Sequence, residues 1–169
     1  MTHTSSTMEE CILHKRASQA SAIPAAWHLL TKPSVDTGFN AVELIRSSPL
    51  LSRREQEITE NTDAKDLLEK LATGELSSVE VTTAFCKRAA LAHQLTNCCT
   101  EIFFEQALDA ARHADAYLAK TGQTLGPLHG LPVSMKDLFR ITGQDTTIGK
   151  SVPRSRALVE RENRGHVAD

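Results

Sequence analysis

The segment Gly126-Pro127-Leu128-His129-Gly130-Leu131-Pro132-Val133-Ser134-Met135-Lys136-Asp137 restricts what this chain can fold into more than any other. Gly126-Pro127 and Gly130 stop any helix that precedes them. Pro132 suits the first position of a strand, where its missing N–H costs no ladder bond. Val133 and Met135 then alternate with Ser134 and Lys136, so the pattern predicts a short strand with both polar side chains on one face. A lysine at the inner end of a buried strand is uncommon, because an unpaired ammonium is costly to bury. Lys136 is therefore the first candidate for chemistry.

Upstream, helical patterns dominate. Glu9 to Ala20 reads as a surface helix, followed by Ile23-Pro24-Ala25-Ala26-Trp27 and a loop region holding Pro33, Gly38 and Pro49. Ser52-Arg53-Arg54-Glu55 and Ser77-Ser78-Val79-Glu80 both fit the capping box that opens a helix. Asp63 can cap a helix with Leu67, Leu68 and Leu71 on one face and Gly74 as its left-handed end. Val81, Phe85, Ala89 and Ala92 recur at spacings of three and four, with Lys87 and Arg88 on the polar side. A further helix runs from about Phe104 to Lys120 with Ala107, Leu108, Ala111, Ala114 and Leu118 as its buried stripe, and Gly122 closes it. Ile102-Phe103 is predicted to be a short strand, and the charged run from Arg53 to Glu60 a solvated helix face. The chain divides into a loosely packed region of helix and loops (1–50), a main region (51–150) and a disordered tail (151–169), where no apolar periodicity remains.

Composition excludes several classes of function. The net charge of −2 gives no electrostatic case for nucleic acid or an anionic membrane. No apolar run approaches the roughly 20 residues of a membrane helix, and the first residues lack the basic start and apolar run of a secretory signal. None of the four cysteines has the Cys-x-x-Cys spacing of a zinc or redox site. They are expected to be reduced thiols, as in a cytoplasmic protein.

The block from Gly126 to Asp137, with Gly143-Gln144-Asp145-Thr146-Thr147-Ile148-Gly149 after it, resembles the amidase signature family. Leu51-Ser52-Arg53-Arg54-Glu55-Gln56-Glu57-Ile58-Thr59-Glu60, the segment Leu76 to Ala89 and Leu95-Thr96-Asn97-Cys98-Cys99-Thr100-Glu101-Ile102-Phe103 extend the likeness, most closely to its fungal acetamidase-type branch. It is strong from about Leu51 to Gly149, loose before, and absent after Lys150. The resemblance implies an α/β amidase-signature fold, of which these residues supply mostly helices plus the first strand or strands of a mixed central sheet. It also implies hydrolysis of small aliphatic carboxamides to carboxylate and ammonia, with no cofactor or metal, through a serine nucleophile, a second serine in a cis peptide, and a lysine. Only the lysine carries over, to Lys136. The family's Gly/Ser-rich segment, which holds both serines and the oxyanion-hole amides, has no counterpart here. The chain is accordingly expected to be a truncated portion, inactive alone.

Other candidates carry less. Ser134 shares a face with Lys136 but is read as scaffold, and Asp137 as a structural hydrogen-bonding carboxylate. Thr146-Thr147-Ile148-Gly149 is read as a packing loop beside the active site, and His129 as a turn hydrogen-bonding residue. Gly143 and Gly149 are separated by one residue too many for a phosphate-binding loop. No histidine pair has helical metal-site spacing with a third ligand. The tail from Ser151 to Asp169 suggests a truncated or mis-spliced reading frame. The rival reading is a non-catalytic helical interaction module, or an unstable gene-model fragment, with oligomeric state open.

Overall fold

In the computed structural model of this chain, residues 7–31, 33, 38–144 and 146 are described. The tail expected to be disordered lies outside them. The chain forms two compact units, one of residues 22–133 and the other of 1–21 with 134–169.

In the second unit, α1 (Met8–Ser21) is the helix expected near Glu9–Ala20. Its start is held reciprocally: the Glu10 N–H donates to Thr7 Oγ1 at 3.2 Å and the Thr7 N–H to Glu10 Oε2 at 2.8 Å.

The unit of residues 22–133 is helical. After a 3₁₀ turn at Ala25–Trp27 come α2 (Ala41–Arg46), α3 (Arg53–Gln56) continuing into a π turn (Glu57–Asn61), α4 (Ala64–Thr73), α5 (Ser78–Thr96) and α6 (Phe104–Thr121). The caps follow local sequence. Ser52 and Glu55 form the complete capping box, Asp63 accepts from the Asp66 N–H, and Gly74 ends α4 at φ +75°. At α5 the box is only half made. Ser77 accepts from the Glu80 N–H, but the Glu80 carboxylate takes Arg54 Nε at 3.0 Å.

α5 is the axis of the unit, in contact with α2, α3, the π turn and α6. It is covered on several sides, so Val81, Ala84, Cys86, Ala90 and Leu91 are all buried. The single stripe expected from spacing is too narrow for a surrounded helix: Val81 is buried, whereas Phe85, Ala89 and Ala92 are half-buried. One core groups Ile58, Leu67, Leu71, Leu76, Val81 and Ala84, with Leu131 packed against it. A second joins Ile45, Leu51 and Leu91.

α6 fixes the start of α5 through one carboxylate. Asp115 accepts the N–H groups of Ser78 at 2.6 Å and Val79 at 3.0 Å. A negative charge there satisfies two amides that helical geometry leaves without partners and opposes the positive end of the helix dipole. Asp115→Ala is expected to destabilise the fold by roughly 2–3 kcal/mol, and Asp115→Asn, which keeps an acceptor, by less. Urea denaturation with an unchanged m-value measures this.

The charged run from Arg53 to Glu60 is a solvated face only in part: Arg53, Arg54 and Glu57 are exposed, whereas Glu55 and Glu60 turn toward α5. Glu55 lies 2.7 Å from Lys87 Nζ, and Glu60 2.7 Å from Arg88 Nη1, which also donates to Thr59 Oγ1 at 3.0 Å. These pairs clamp α3 and the π turn onto α5, placing Lys87 and Arg88 at an interface. Burial by itself would raise the Glu55 carboxyl, but hydrogen bonds from Lys87 and Ser52 outweigh it and leave it below the ordinary 4.5. The Arg88 hydrogen bond chiefly lowers Glu60. A carboxyl depressed on folding stabilises the protein above its unfolded value and loses that contribution as pH falls through the folded one. Stability should therefore fall as pH drops below about 5, through the ordinary carboxyl range and on into more acid solution. The Glu55→Gln/Glu60→Gln variant should show a flatter profile in thermal melts across that range.

The expected strands do not form. Ile102-Phe103 and the run from Pro132 to Lys136 are irregular, and no strand occurs among the described residues. Strand geometry is held by ladder bonds to a neighbour, and an isolated alternating run has none to make.

Candidate functional site

The glycine- and proline-rich block is built as a knot of short bonds. The His129 N–H donates to the Gly126 carbonyl at 3.1 Å and the Leu131 N–H to the Leu128 carbonyl at 3.2 Å. His129 Nδ1 accepts the Leu125 N–H at 3.1 Å, the turn role expected of it. Because Nδ1 is an acceptor, the ring proton sits on Nε2, and the imidazole is buried.

Gly130 is the closest fit in the block. It has φ +70°, and a Cβ there would lie 2.1 Å from Ser78 Oγ, 2.8 Å from Ser78 Cβ and 3.3 Å from Leu71 Cδ2. The loop thus presses its backbone against the first turn of α5, which Asp115 holds from α6. These supporting residues were not legible as a group. Ser78 and Asp115 stand 37 residues apart, and no spacing rule links them.

Against the block lies a groove of about 730 Å³, floored by Thr82 of α5 and by Ala107, Ala111 and Ala114 of α6, with residues 125–133 as its other wall. Alanines at these spacings keep the helix surface low, which makes room for the groove. Leu128 and Val133 stand about 60% exposed beside it (61% and 63%).

Lys136 belongs to the other unit and is exposed, as is Ser134. Its carbonyl accepts from the N–H groups of Leu138 at 2.7 Å and Phe139 at 3.0 Å, so a tight turn follows it. Asp137 is half-buried in that turn. Thr146 is buried and donates from Oγ1 to the Phe139 carbonyl at 3.3 Å. Thr147, Ile148 and Gly149 lie outside the described residues. The described residues therefore display an exposed lysine and a positioned loop.

All four cysteines are thiols. Burial pushes Cys86 up to about 11. Cys99 also rises to about 11, through burial first and the neighbouring Cys98 second. No helix among the described residues is long and apolar enough to cross a membrane.

Comparison with known proteins places these features in a family. Residues 80–157 match the sequence model described as Amidase, so the likeness runs several residues past Lys150, where direct reading of the motifs ends. An amidase of Gibberella moniliformis is 49% identical over 145 residues, covering 83% of this chain and 27% of that protein. An acetamidase of Emericella nidulans is 50% identical over 141 residues, covering 83% and 25%. Among solved structures, a fatty acid amide hydrolase superposes with a TM-score of 0.70 at 41% identity, over 75% of this chain and 23% of its own. The chain spans about a quarter of the length of these relatives. A matching family model across the lysine-bearing block, together with fungal relatives half identical over most of its length, shows that the chain belongs to the amidase family, beside the fungal amidases and acetamidases.

Proposed function

We propose that this chain contributes the general base to hydrolysis of carboxylic amides, with Lys136 as that base. The observation that carries the reading is Lys136 at the end of the Gly126–Met135 block, inside the segment that matches the family. In this chemistry a serine hydroxyl attacks the amide carbonyl and gives its proton, through a second serine in a cis peptide, to a neutral lysine. The proton then goes to the departing ammonia, and water releases the acid from the acyl-serine. No metal or organic cofactor is needed, since serine, serine and lysine serve as nucleophile, relay and base.

Small aliphatic amides are the substrates favoured by the acetamidase likeness, and the four thiols suit a cytoplasmic setting. A lysine acts as a base only where its ammonium has lost water. Lys136 is exposed, so the burying wall of a central sheet and both serines would come from polypeptide equivalent to the three-quarters of the relatives that these residues do not match. The 169 residues alone are then expected to release no ammonia from acetamide. Grafted in place of the corresponding quarter of the Gibberella moniliformis amidase, they should restore hydrolysis. Ammonia release by the purified 169-residue chain that disappears in Lys136→Ala would refute the division of labour. A folded but inactive graft would refute the amidase reading itself.

A further inference from the structure

Cys98 and Cys99 follow the end of α5, and the backbone there is unusual. Asn97 caps the helix in the left-handed region at φ +56°, the one such residue other than glycine among the described residues, and its N–H donates to the His93 carbonyl at 2.7 Å. The Cys99 N–H then donates to His93 Nδ1 at 3.2 Å. In a regular extended chain, neighbouring side chains point to opposite faces. Here the turn brings both to one side, with the two Sγ atoms 3.9 Å apart. Cys98 is exposed and Cys99 half-buried.

Thiolates bind soft centres at roughly 2.3 Å, so two sulfurs on one centre stand less than about 4.6 Å apart whatever the angle. The observed 3.9 Å falls within that span. No group of three or more metal-ligating side chains occurs among the described residues, so an ion that demands four protein ligands is poorly served. A centre satisfied by two sulfurs is well served.

The geometry points to Cys98–Cys99 as a two-sulfur binding site for trivalent arsenic, as arsenite or a monosubstituted arsenoxide. With an arsenoxide, both thiols give up their protons and two arsenic–sulfur bonds form. The arsenic–oxygen bonds break, and the oxygen leaves with the two protons as one water, without change of oxidation state. Cys98 reacts first because it is exposed. Cys99 then closes the ring intramolecularly, at an effective concentration that raises affinity by about 10²-fold or more over either thiol alone. This site is independent of the amidase reading.

Phenylarsine oxide titrated into the full 169-residue protein, with detection by intact mass and peptide mapping, tests it. One adduct per chain is expected, spanning Cys98 and Cys99, resistant to excess glutathione and removed by a dithiol. Cys98→Ser and Cys99→Ser should each weaken binding about 10²-fold while melting at the parent temperature, and Cys11→Ser should bind as the parent does. An adduct mapped to Cys11 or Cys86, or parent-like affinity in either Cys98→Ser or Cys99→Ser, would overturn the site. So would an adduct on the parent that glutathione strips as readily as from Cys99→Ser.

Discussion

Lys136→Ala, introduced into the graft of this chain on the Gibberella moniliformis amidase, should lower kcat for acetamide hydrolysis by about 10²–10⁴-fold, the range expected when a general base is removed. KM should change little, because the lysine works on the proton of the nucleophile and not on the bound amide. Lys136→Arg separates base chemistry from mere charge. A guanidinium keeps the positive charge but does not give up a proton in proteins, so no rescue is expected. If the arginine variant kept more than about a third of the parent rate, Lys136 would be an electrostatic or structural cation rather than the base assigned here.

The largest expected effect on stability is at Gly130. Alanine there must adopt φ +70°, a left-handed conformation that costs an L-residue about 1–2 kcal/mol. Its methyl would also sit 2.1 Å from the buried Ser78 Oγ, and overpacking a filled site costs about 1–3 kcal/mol more. Together these come to roughly 2–5 kcal/mol, a drop in Tm on the order of 10 °C for a chain of this size. Gly74 supplies the control. Its φ is +75°, yet nothing lies within 4 Å of a Cβ built there, so Gly74→Ala should lose only the conformational part. Ser78→Gly should partly rescue Gly130→Ala, with a coupling of at least about 1 kcal/mol in a double-mutant cycle. Equal losses at Gly74 and Gly130, with no coupling to Ser78, would mean the loop does not press on α5.

The contrast between these glycines marks how far the sequence could be read. Gly74 and Gly122 end their helices by a local rule, and so were legible from the patterns before them. Gly130 was legible as a turn residue, but its reason, the contact with Ser78, arises only when residues 52 apart in number meet. Asp115 was invisible for the same cause: its spacing within α6 marks a polar position and says nothing of the helix end it faces. The surface charges at Glu55 and Glu60 were misassigned because amphipathic spacing identifies one buried stripe, whereas α5 is packed on several sides. The strand at Pro132–Lys136 was read from alternation, and alternation states which face each side chain would take only if a neighbouring strand supplies the ladder. Lys136 itself was singled out by residue type and by its place in the block. What should surround it is long-range structure that spacing does not encode.

At the centre stands the proposal of a base without its nucleophile, in which Lys136 serves as the base of amide hydrolysis and the attacking serine is supplied from outside these residues. Labelling by a serine-directed fluorophosphonate, run side by side on the 169-residue chain and on the graft and followed by peptide mapping, measures this directly. The graft should be labelled on a serine of the host portion, and the 169-residue chain should take up no label. Labelling of Ser134 in the 169-residue chain, lost in Lys136→Ala, would contradict it.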